Sequence, residues 1–401
     1  MPQRVLLAWE LGGGRGHVLI LGWIAEVLRQ RGFEPVFAVQ RLDALDAIRT
    51  TMGRGEFYQA PVWLGTLDRR ASATHGASFT VGDVIADLGL RTPFIVEHMI
   101  ESWDSLLARI NPAAVVADFA PACLLAARGR LPAIAVGDGF TLPPNTLEQF
   151  PQFEPGEQAP KYKEETLTEV VNACLRASDR PPIARLPEIF GADRYCAGAF
   201  TEFDPYASER RIPTAAPWVP VWDRTVPTGG DEVFGYFSVN IDTLPTVTEA
   251  LARVASEGLP VRVHIPALNE ESRTDLAASG VIVEPEPLPF EDIQRRARLV
   301  VSFGSLGLVS CALTAGIPQV VLPLGIAKSV TGRAVERLGV GRWLNLKPGN
   351  PLEPALLSQA IVEIYRDEKL AAAAKSRAPD FARRLAPRPA EIVADFVQEL
   401  V

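Results

Sequence analysis

Cysteine and histidine are scarce in this chain, with four of each among 401 residues. The cysteines are Cys123, Cys174, Cys196 and Cys311, and no two of them have the close spacing of a metal site or a disulfide framework. Cys123 and Cys311 lie in apolar helical patterns, which is typical of small buried side chains. The sequence therefore predicts neither a disulfide-stabilised protein nor a zinc protein.

Basic charge and long apolar runs are lacking too. The formal net charge is −8, and a nucleic-acid partner is not expected because phosphate neutralisation requires a basic face. No apolar stretch approaches the length of about 18 residues that predicts a transmembrane helix. Residues 1–11 do not have the pattern of a signal peptide. We expect a cytoplasmic protein without a transmembrane segment.

What is present is an ordinary globular composition, 47% hydrophobic and 22% charged, over a length that suggests two domains. Strands are predicted at 4–11, 35–39, 59–64, 113–117, 132–136, 232–238, 260–265, 281–284, 298–302, 317–322 and 341–345. Helices are predicted at 18–31, 42–50, 81–89, 93–110, 120–128, 162–177, 243–257, 270–279, 289–297, 307–315, 328–338 and 353–366, with two more in 368–400. This alternation predicts an α/β fold with parallel sheets covered on both faces.

A proline- and glycine-rich stretch at 212–231 has no hydrophobic period and is predicted to be a linker. It separates a first domain, residues 1–211, from a second domain, residues 232–384. The last segment, 385–401, is predicted to form a helix that packs back on the first domain. Two Rossmann-like domains of this kind are expected to face each other across a cleft, which is lined by loops at the carboxyl ends of the strands.

A glycine-rich segment at 12–16 follows the apolar run Val5–Trp9 and leads into His17 at the start of a helix. Glycines let the backbone approach a ligand closely, and a helix amino end favours anionic or electron-rich groups. A dinucleotide fingerprint would have glycine in place of His17 and an acidic residue in place of Gln40 or Arg41. A phosphate-binding P-loop is also excluded, because no Gly-Lys-Ser/Thr follows.

His17 is predicted to be neutral and able to accept a proton, because the helix dipole disfavours imidazolium at this position. Asp118 is the best candidate for its orienting partner, since it follows the strand predicted at 113–117, whose carboxyl end lies at the same sheet edge. Two other interpretations stay open: a loop histidine that bonds to backbone, and an aspartate that caps the next helix. Capping and orienting are compatible roles for Asp118.

The glycine loop with its histidine, and the Val-Val-Ala-Asp sequence that ends at Asp118, resemble the family 1 glycosyltransferases, the UDP-glycosyltransferase superfamily of the GT-B fold. The likeness continues in the second half. Segment 283–289 resembles the loop that frames the nucleotide base, 303–308 lies where the family has His-Gly-Gly-x-Gly-Thr, and 312–323 follows its pattern of helix, Gly-Val-Pro and strand. Nearly the whole chain is covered, so the resemblance implies the GT-B fold.

The resemblance implies that the second domain binds a nucleotide-diphosphate sugar. The implied donor-binding residues are Ser238, Asn240, Pro287, Leu288, Phe303, Gly304, Ser305, Gly307, Leu308 and Lys328. This chain departs from the family at three of them: Phe303 replaces the diphosphate-binding histidine, Ser305 a glycine and Leu308 a threonine. Backbone N–H groups of loop 303–308 and the following helix can still hold a diphosphate.

The family's sugar-contacting Asp-Gln pair falls at Ala327-Lys328 in this chain. A cation such as Lys328 or Arg333 can offset the lost imidazole, because either is a reasonable phosphate partner. A solvated surface lysine is an equally weighted interpretation of Lys328.

The acceptor is expected to contact the first domain, at the glycine loop and at the proline- and phenylalanine-rich segment 137–160. The predicted acceptor-binding residues are Gly14, Arg15, Gly16, Phe140, Phe150 and Phe153. Trp9 and Trp103 are expected to be core residues, because apolar runs surround them. Neither a metal ion nor a cofactor is expected, since Glu202-Phe-Asp204 is not an Asp-x-Asp motif and the sugar nucleotide is a co-substrate.

The resemblance implies an inverting glycosyltransferase that moves a sugar from a UDP- or dTDP-sugar to a hydroxyl or amine of a small-molecule or glycan acceptor. His17 would be the general base and Asp118 its partner. Two alternatives are a catalytically degenerate accessory or binding protein, which the missing donor residues favour, and a nucleotide-sugar 2-epimerase. The epimerase is disfavoured because the sequence shows no cluster of carboxylates for the sugar.

Overall fold

The computed structural model describes residues 2–49, 55–67, 78–153, 159–237, 244–322, 324–344 and 353–401. The chain divides into two compact units. Unit 1 consists of Met1–Ala216 and Pro387–Val401, and unit 2 of Pro217–Ala386. Each unit is built around its own six-stranded parallel sheet, as the alternation of strand and helix patterns predicts.

The sheet of unit 1 has the strand order β3-β2-β1-β4-β5-β6. Its strands are β1 (Arg4–Trp9), β2 (Glu34–Val39), β3 (Glu56–Gln59), β4 (Ala114–Asp118), β5 (Ala133–Gly137) and β6 (Arg194–Ala197). All five residues of β4 and of β5 are buried. Continuous apolar runs of this kind are typical of parallel strands that are covered on both faces.

The helices of unit 1 cover that sheet. They are α1 (Gly16–Gln30), α2 (Leu64–Leu67), α3 (Val81–Ile85), α4 (Pro93–Ile110), α5 (Pro121–Ala127), α6 (Glu164–Ala177) and, from the end of the chain, α14 (Pro389–Leu400). A π-helix, Ala86–Leu90, continues α3, and short 3₁₀ helices lie at Leu42–Ile48, Leu186–Phe190 and Thr201–Phe203. The core they share includes the predicted Trp9 and Trp103, which are fully buried.

The order in which successive strands are added to this sheet reverses between β1 and β4, although the two strands are parallel. Strands β2 and β3 lie on one side of β1, and β4, β5 and β6 lie on the other. Trp9 at the end of β1 is directly opposite Asp118 at the end of β4. Ligands of doubly wound sheets bind at such a switch point, outside the carboxyl ends of the strands.

The sheet of unit 2 has the order β12-β11-β10-β7-β8-β9. Its strands are β7 (Glu232–Tyr236), β8 (Val261–His264), β9 (Ile282–Val283), β10 (Ala297–Ser302), β11 (Gln319–Val321) and β12 (Gly341–Trp343). Its helices are α7 (Leu244–Ser256), α8 (Glu270–Ala278), α9 (Phe290–Arg296), α10 (Leu306–Ala315), α11 (Ile326–Arg337), α12 (Pro354–Arg366) and α13 (Glu368–Arg383). The switch point lies between β7 and β10, where Tyr236 is opposite Ser302.

Two sequence-based expectations for unit 1 are wrong in detail. The strand predicted at 59–64 lies earlier, at Glu56–Gln59, because Pro61 has no N–H to donate to the sheet. Strand β6 was not predicted at all. Its four residues, Arg-Tyr-Cys-Ala, show no clear hydrophobic pattern, and it lies at the sheet edge where only β5 pairs with it.

The boundary between the units falls at 216/217, inside the segment predicted as a linker. The last helix, α14, belongs to unit 1 and packs against α1. Its contact is fastened by Arg31, whose guanidinium donates to Gln398 Oε1 (2.7 Å) and Glu391 Oε2 (2.9 Å) and also pairs with Asp395. Among the described residues, no helix is both long and apolar enough to cross a membrane.

Val393 tests the contribution of α14 to unit 1, because its side chain is fully buried. We expect Val393→Ala to lower the free energy of unfolding by about 2 kcal/mol, since it leaves a cavity in a packed interface. The measurement is equilibrium denaturation in urea. Val401→Ala is the matched control, because Val401 is 40% exposed and its truncation is expected to cost less than about 0.5 kcal/mol. Equal losses for the two variants would contradict this packing.

Candidate active site

His17 and Asp118 meet at the switch point of unit 1. His17 is the second residue of α1, and Asp118 is the last residue of β4. The imidazole Nδ1 donates to Asp118 Oδ2 over 2.9 Å, because a carboxylate can only accept. The Asp118 side chain is fully buried, whereas 14% of the His17 side chain is exposed. The pairing predicted from the sequence is thus present, with one partner anchored in the protein and the other reaching solvent.

The imidazole stacks with two aromatic rings. Trp9 stacks on it with a centroid separation of 5.2 Å, and Phe119 is the second stacked ring, at 6.4 Å. The Trp9 indole is itself fixed by donating to the Leu11 carbonyl (2.6 Å). Phe119 has a φ of +46°, which for a side-chain-bearing residue costs about 1–2 kcal/mol. Strain of this kind persists where neighbouring contacts impose it, and here it brings the Phe119 ring to His17.

Gly12 leaves room at the other imidazole nitrogen. A Cβ atom at Gly12 would lie 2.3 Å from His17 Nε2, and the backbone φ of +87° also favours glycine. Since Nδ1 carries the proton shared with Asp118, Nε2 has the free lone pair. Glycine is therefore required at position 12, because any side chain there would overlap the nitrogen of His17 that can accept a proton.

Carboxylates set the protonation of this imidazole. Burial lowers the pKa of His17, but the Asp118 carboxylate and, more weakly, Asp138 outweigh it, so the net pKa lies above the ordinary histidine value. Burial in turn raises the pKa of Asp118, with the imidazole opposing that shift. The second Asp118 oxygen, Oδ1, is buried without a hydrogen-bond partner among the described residues. The pair is thus poised to hold one additional proton.

Asp138 follows β5, next to β4, and was not predicted as a site residue. Its Oδ1 accepts from the N–H groups of Phe140 (2.9 Å) and Thr141 (2.7 Å). The signal that singled out Asp118, a carboxylate directly after a buried strand, applies to Asp138 as well. Asp138 therefore shapes the loop after β5 and adds negative charge near His17.

The predicted acceptor residues divide into two groups. Phe140 and Phe153 are partly exposed and stack on each other at 5.5 Å, so they remain candidates for a ligand surface. Phe150 is 4% exposed and packs edge-on against Phe190 in the core, so its proposed contact with an acceptor needs correction. Its backbone N–H is also taken, by Glu164 Oε1 (2.9 Å).

The glycine loop is anchored from a neighbouring strand connection. Arg41 donates to the Gly13 carbonyl (3.3 Å). Gly14 and Arg15 are exposed, and the Arg15 side chain makes no capping hydrogen bond with α1, which starts at Gly16. The predicted acceptor residues Gly14, Arg15 and Gly16 are thus exposed next to His17 in the chain.

Asp204 of the Glu202-Phe-Asp204 sequence supports the loop after β5. It forms a buried ion pair with Arg210, whose Nη2 donates to the Gly139 (2.8 Å) and Leu142 (2.9 Å) carbonyls. Within the described residues, no group of three or more His, Cys, Asp or Glu side chains could hold a metal ion.

In unit 2 the segment 303–308 lies at the switch point, directly after β10. Gly304 has a φ of +81°, and a Cβ there would lie 2.6 Å from Val321 Cγ1 and 3.4 Å from the Lys328 carbonyl oxygen. Glycine is therefore required for the start of α10 to approach the start of α11 this closely. The Ser305 side chain makes no capping hydrogen bond with α10, and Gly325 has no side chain to cap α11.

Lys328 lies in the first turn of α11, with Nζ 5.5 Å from the centroid of the Phe303 ring. Burial lowers the pKa of Lys328. The first turns of α10 and α11 contain no acidic residue. A cation beside two helix amino ends is unfavourable unless an anion compensates it, so this corner of unit 2 has the electrostatics of an anion site.

The remaining predicted donor residues are more scattered. Phe303 is 2% exposed and packs edge-on against Phe237, as a core residue does. Leu288 and Leu308 are partly buried against a different apolar cluster, which includes Phe234 and Phe290, and Pro287 is exposed. Gly307 packs close to the Trp218 carbonyl. Ser238 and Asn240 lie outside the described residues.

Comparison with known proteins addresses the fold. Residues 248–399 match the family described as Erythromycin biosynthesis protein CIII-like, C-terminal domain. The chain superposes on the spinosyn rhamnosyltransferase SpnG with a TM-score of 0.68 and 16% identity, over 98% of this chain and 99% of that one. SpnG structures include complexes with spinosyn aglycone and with thymidine diphosphate. The calicheamicin glycosyltransferase CalG4 gives a TM-score of 0.67 at 18% identity, over 100% and 98% of the chains.

The chain has the GT-B glycosyltransferase fold. The resemblance found in the sequence is thereby confirmed. NDP-glycosyltransferase YjiC of Bacillus subtilis (strain 168) is 26% identical over 113 residues. That alignment spans 28% of this chain and 28% of the relative.

Gly12→Ala tests the close approach of the Gly12 backbone to His17 Nε2. The added Cβ overlaps the imidazole nitrogen, so we expect the ring to move away from Asp118 and the stability to fall by about 1 kcal/mol or more. The side-chain ¹⁵N chemical shifts of His17 report the ring displacement. Gly13→Ala is the matched control, since a Cβ there meets nothing within 4 Å. Unchanged His17 shifts in Gly12→Ala would contradict this geometry.

Proposed function

We propose that this chain is an inverting glycosyltransferase that moves a sugar from a nucleotide-diphosphate donor to a hydroxyl or amine of a small-molecule or glycan acceptor. Unit 1 provides the general base and the acceptor contacts, and unit 2 binds the donor. The observation that carries the proposal is the hydrogen bond between His17 Nδ1 and Asp118 Oδ2, which leaves Nε2 as the nitrogen that can accept a proton.

The base assignment follows from the chemistry of this pair. Nε2 accepts the proton of the acceptor hydroxyl or amine as the oxygen or nitrogen attacks the anomeric carbon. Asp118 holds the ring in the tautomer with Nδ1 protonated and stabilises the imidazolium that forms. General base assistance of this kind contributes about 10²–10⁴ in rate. One displacement, with the diphosphate leaving from the opposite face, inverts the anomeric configuration.

The donor assignment is supported by the anion site of unit 2. Backbone N–H groups at the amino end of α10 and the Lys328 cation can neutralise the diphosphate as it leaves. Lys328 thus takes the role that the family's histidine has, since Phe303 has no hydrogen-bonding group. The thymidine diphosphate complex of SpnG favours a dTDP-sugar, with a UDP-sugar as the other candidate. The proposed reaction uses no cofactor and no metal ion.

A second candidate is a catalytically degenerate GT-B accessory protein, which binds a partner and transfers no sugar. The burial of Phe303 at the diphosphate position favours it. The paired His17 and Asp118 favour an enzyme, because a binding protein has no need of a base. Calorimetry with UDP and dTDP distinguishes the two candidates. Micromolar binding of either nucleotide supports the enzyme, and binding of neither supports the accessory protein.

Asp118→Asn tests the His–Asp pair through its pH dependence. Removing the negative charge leaves burial as the dominant influence on His17, so we expect the pKa of the acidic limb of kcat/KM to move down. The maximal rate of Asp118→Asn should fall by about 10²–10⁴ relative to the wild type. His17→Ala should abolish sugar transfer, while its affinity for dTDP stays within about twofold of the wild type. The measurement is the pH dependence of kcat/KM with a donor that the wild type turns over. If the acidic limb of Asp118→Asn has the wild-type pKa, Asp118 does not set the pKa of His17. If His17→Ala is active, His17 is not the general base.

Lys328→Ala tests the proposed diphosphate contact. Losing a charge-assisted hydrogen bond is worth about 1.5–3 kcal/mol, so we expect dTDP to bind about 10–100-fold more weakly by calorimetry. Lys369→Ala is the control, because Lys369 is an exposed lysine of α13 in the same unit. Equal affinity of Lys328→Ala and wild type would remove Lys328 from the donor site.

A further inference from the structure

A second buried carboxylate, Glu10, lies directly after β1, behind the candidate active site. Its side chain is fully buried, and it accepts three hydrogen bonds. Oε1 accepts from Cys123 N (2.5 Å), and Oε2 accepts from Ala122 N (3.1 Å) and Trp63 Nε1 (2.9 Å). The donors come from two other segments of unit 1, so this one side chain joins three parts of the chain.

Two of those segments carry the proposed catalytic pair. Glu10 leads into the glycine loop that ends at His17, and Ala122 lies four residues after Asp118, in the first turn of α5. A backbone hydrogen bond, from Leu11 N to the Phe119 carbonyl (3.1 Å), joins the same two segments. The glycine loop is a flexible connection by composition, whereas these bonds fix where it leaves the sheet relative to the β4–α5 turn.

We propose that Glu10 is a positioning residue, which holds the exit of β1 against the start of α5 and so keeps His17 at hydrogen-bonding distance from Asp118. The proposal rests on the proposed function for its catalytic consequence, but the geometry it predicts is a property of the free protein.

The chemistry of Glu10 argues for a specific task. Burial raises the pKa of Glu10 to about 7, although its three hydrogen-bond donors and the nearby Trp103 indole oppose the shift. A buried carboxylate is costly, and an apolar side chain of similar size would avoid that cost. The thiol of Cys123 is the titratable group that faces it, and burial together with Glu10 raises the pKa of that thiol well above its ordinary value. What an apolar residue could not supply is the three-way hydrogen bonding.

The test is Glu10→Gln, which keeps the shape but presents an N–H₂ group to one of the donors. With histidine labelled in ¹⁵N, the wild type should show His17 protonated on Nδ1 and free on Nε2, with the signals assigned by their absence in His17→Ala. We expect Glu10→Gln to show a mixture of both tautomers. In a donor assay, kcat should fall by about tenfold or more while the donor KM stays within about threefold, because donor contacts lie in unit 2.

Two further variants separate positioning from folding. Trp63→Phe removes one of the three donors and is expected to give a smaller change of the same kind. Asn172→Ala removes a comparable side-chain bridge elsewhere in unit 1, the two hydrogen bonds with the backbone of Ile183, and should lower stability without altering His17.

A folded Glu10→Gln protein with wild-type His17 signals and wild-type kcat would overturn the positioning role. If Glu10→Gln does not fold, unchanged His17 signals in Trp63→Phe would do so. If the wild type transfers no sugar from any donor, the proposed function fails, and the His17 signals still decide the role of Glu10.

Discussion

The hydrogen bond between His17 Nδ1 and Asp118 Oδ2 depends on the parallel pairing of β1 with β4, and the rest of unit 1 serves to hold it. Parallel strands end at a common edge, so side chains that follow them converge there. Asp118 is immobilised by burial, and His17 by stacking with Trp9 and Phe119. A base needs one nitrogen held and the other free, and this arrangement provides both.

The electrostatics of the two units are opposite in kind. In unit 1 the carboxylates of Asp118 and Asp138 raise the pKa of the imidazole, which favours proton uptake. In unit 2 positive charge collects where α10 and α11 begin, without an acidic residue in either first turn. These are the two environments that the proposed proton abstraction and diphosphate departure require, and each lies at the switch point of its own sheet.

Helices and strands with strong local signals could be predicted closely from the sequence. The helix at 93–110 coincides with α4, because Pro93 suits its first turn and an apolar stripe continues to Ile110. The prediction of strands failed where local sequence signals were weak, or where pairing with a distant strand determined the position of the strand. Strand β6 exists because β5 offers it an edge, and Pro61 moved β3 toward the preceding residues. For the site, the strand ends placed His17 and Asp118 correctly at one edge.

The sequence by itself determined the two α/β units and which residues follow the strands that meet at each switch point, since both depend on local periodicity and on the rules of parallel sheets. Only the tertiary structure decided which side chains point where. It placed Phe150 in the core, set Nε2 of His17 above Gly12, and brought donors from distant segments to Glu10. These outcomes depend on packing between residues far apart in the chain, which no local pattern encodes.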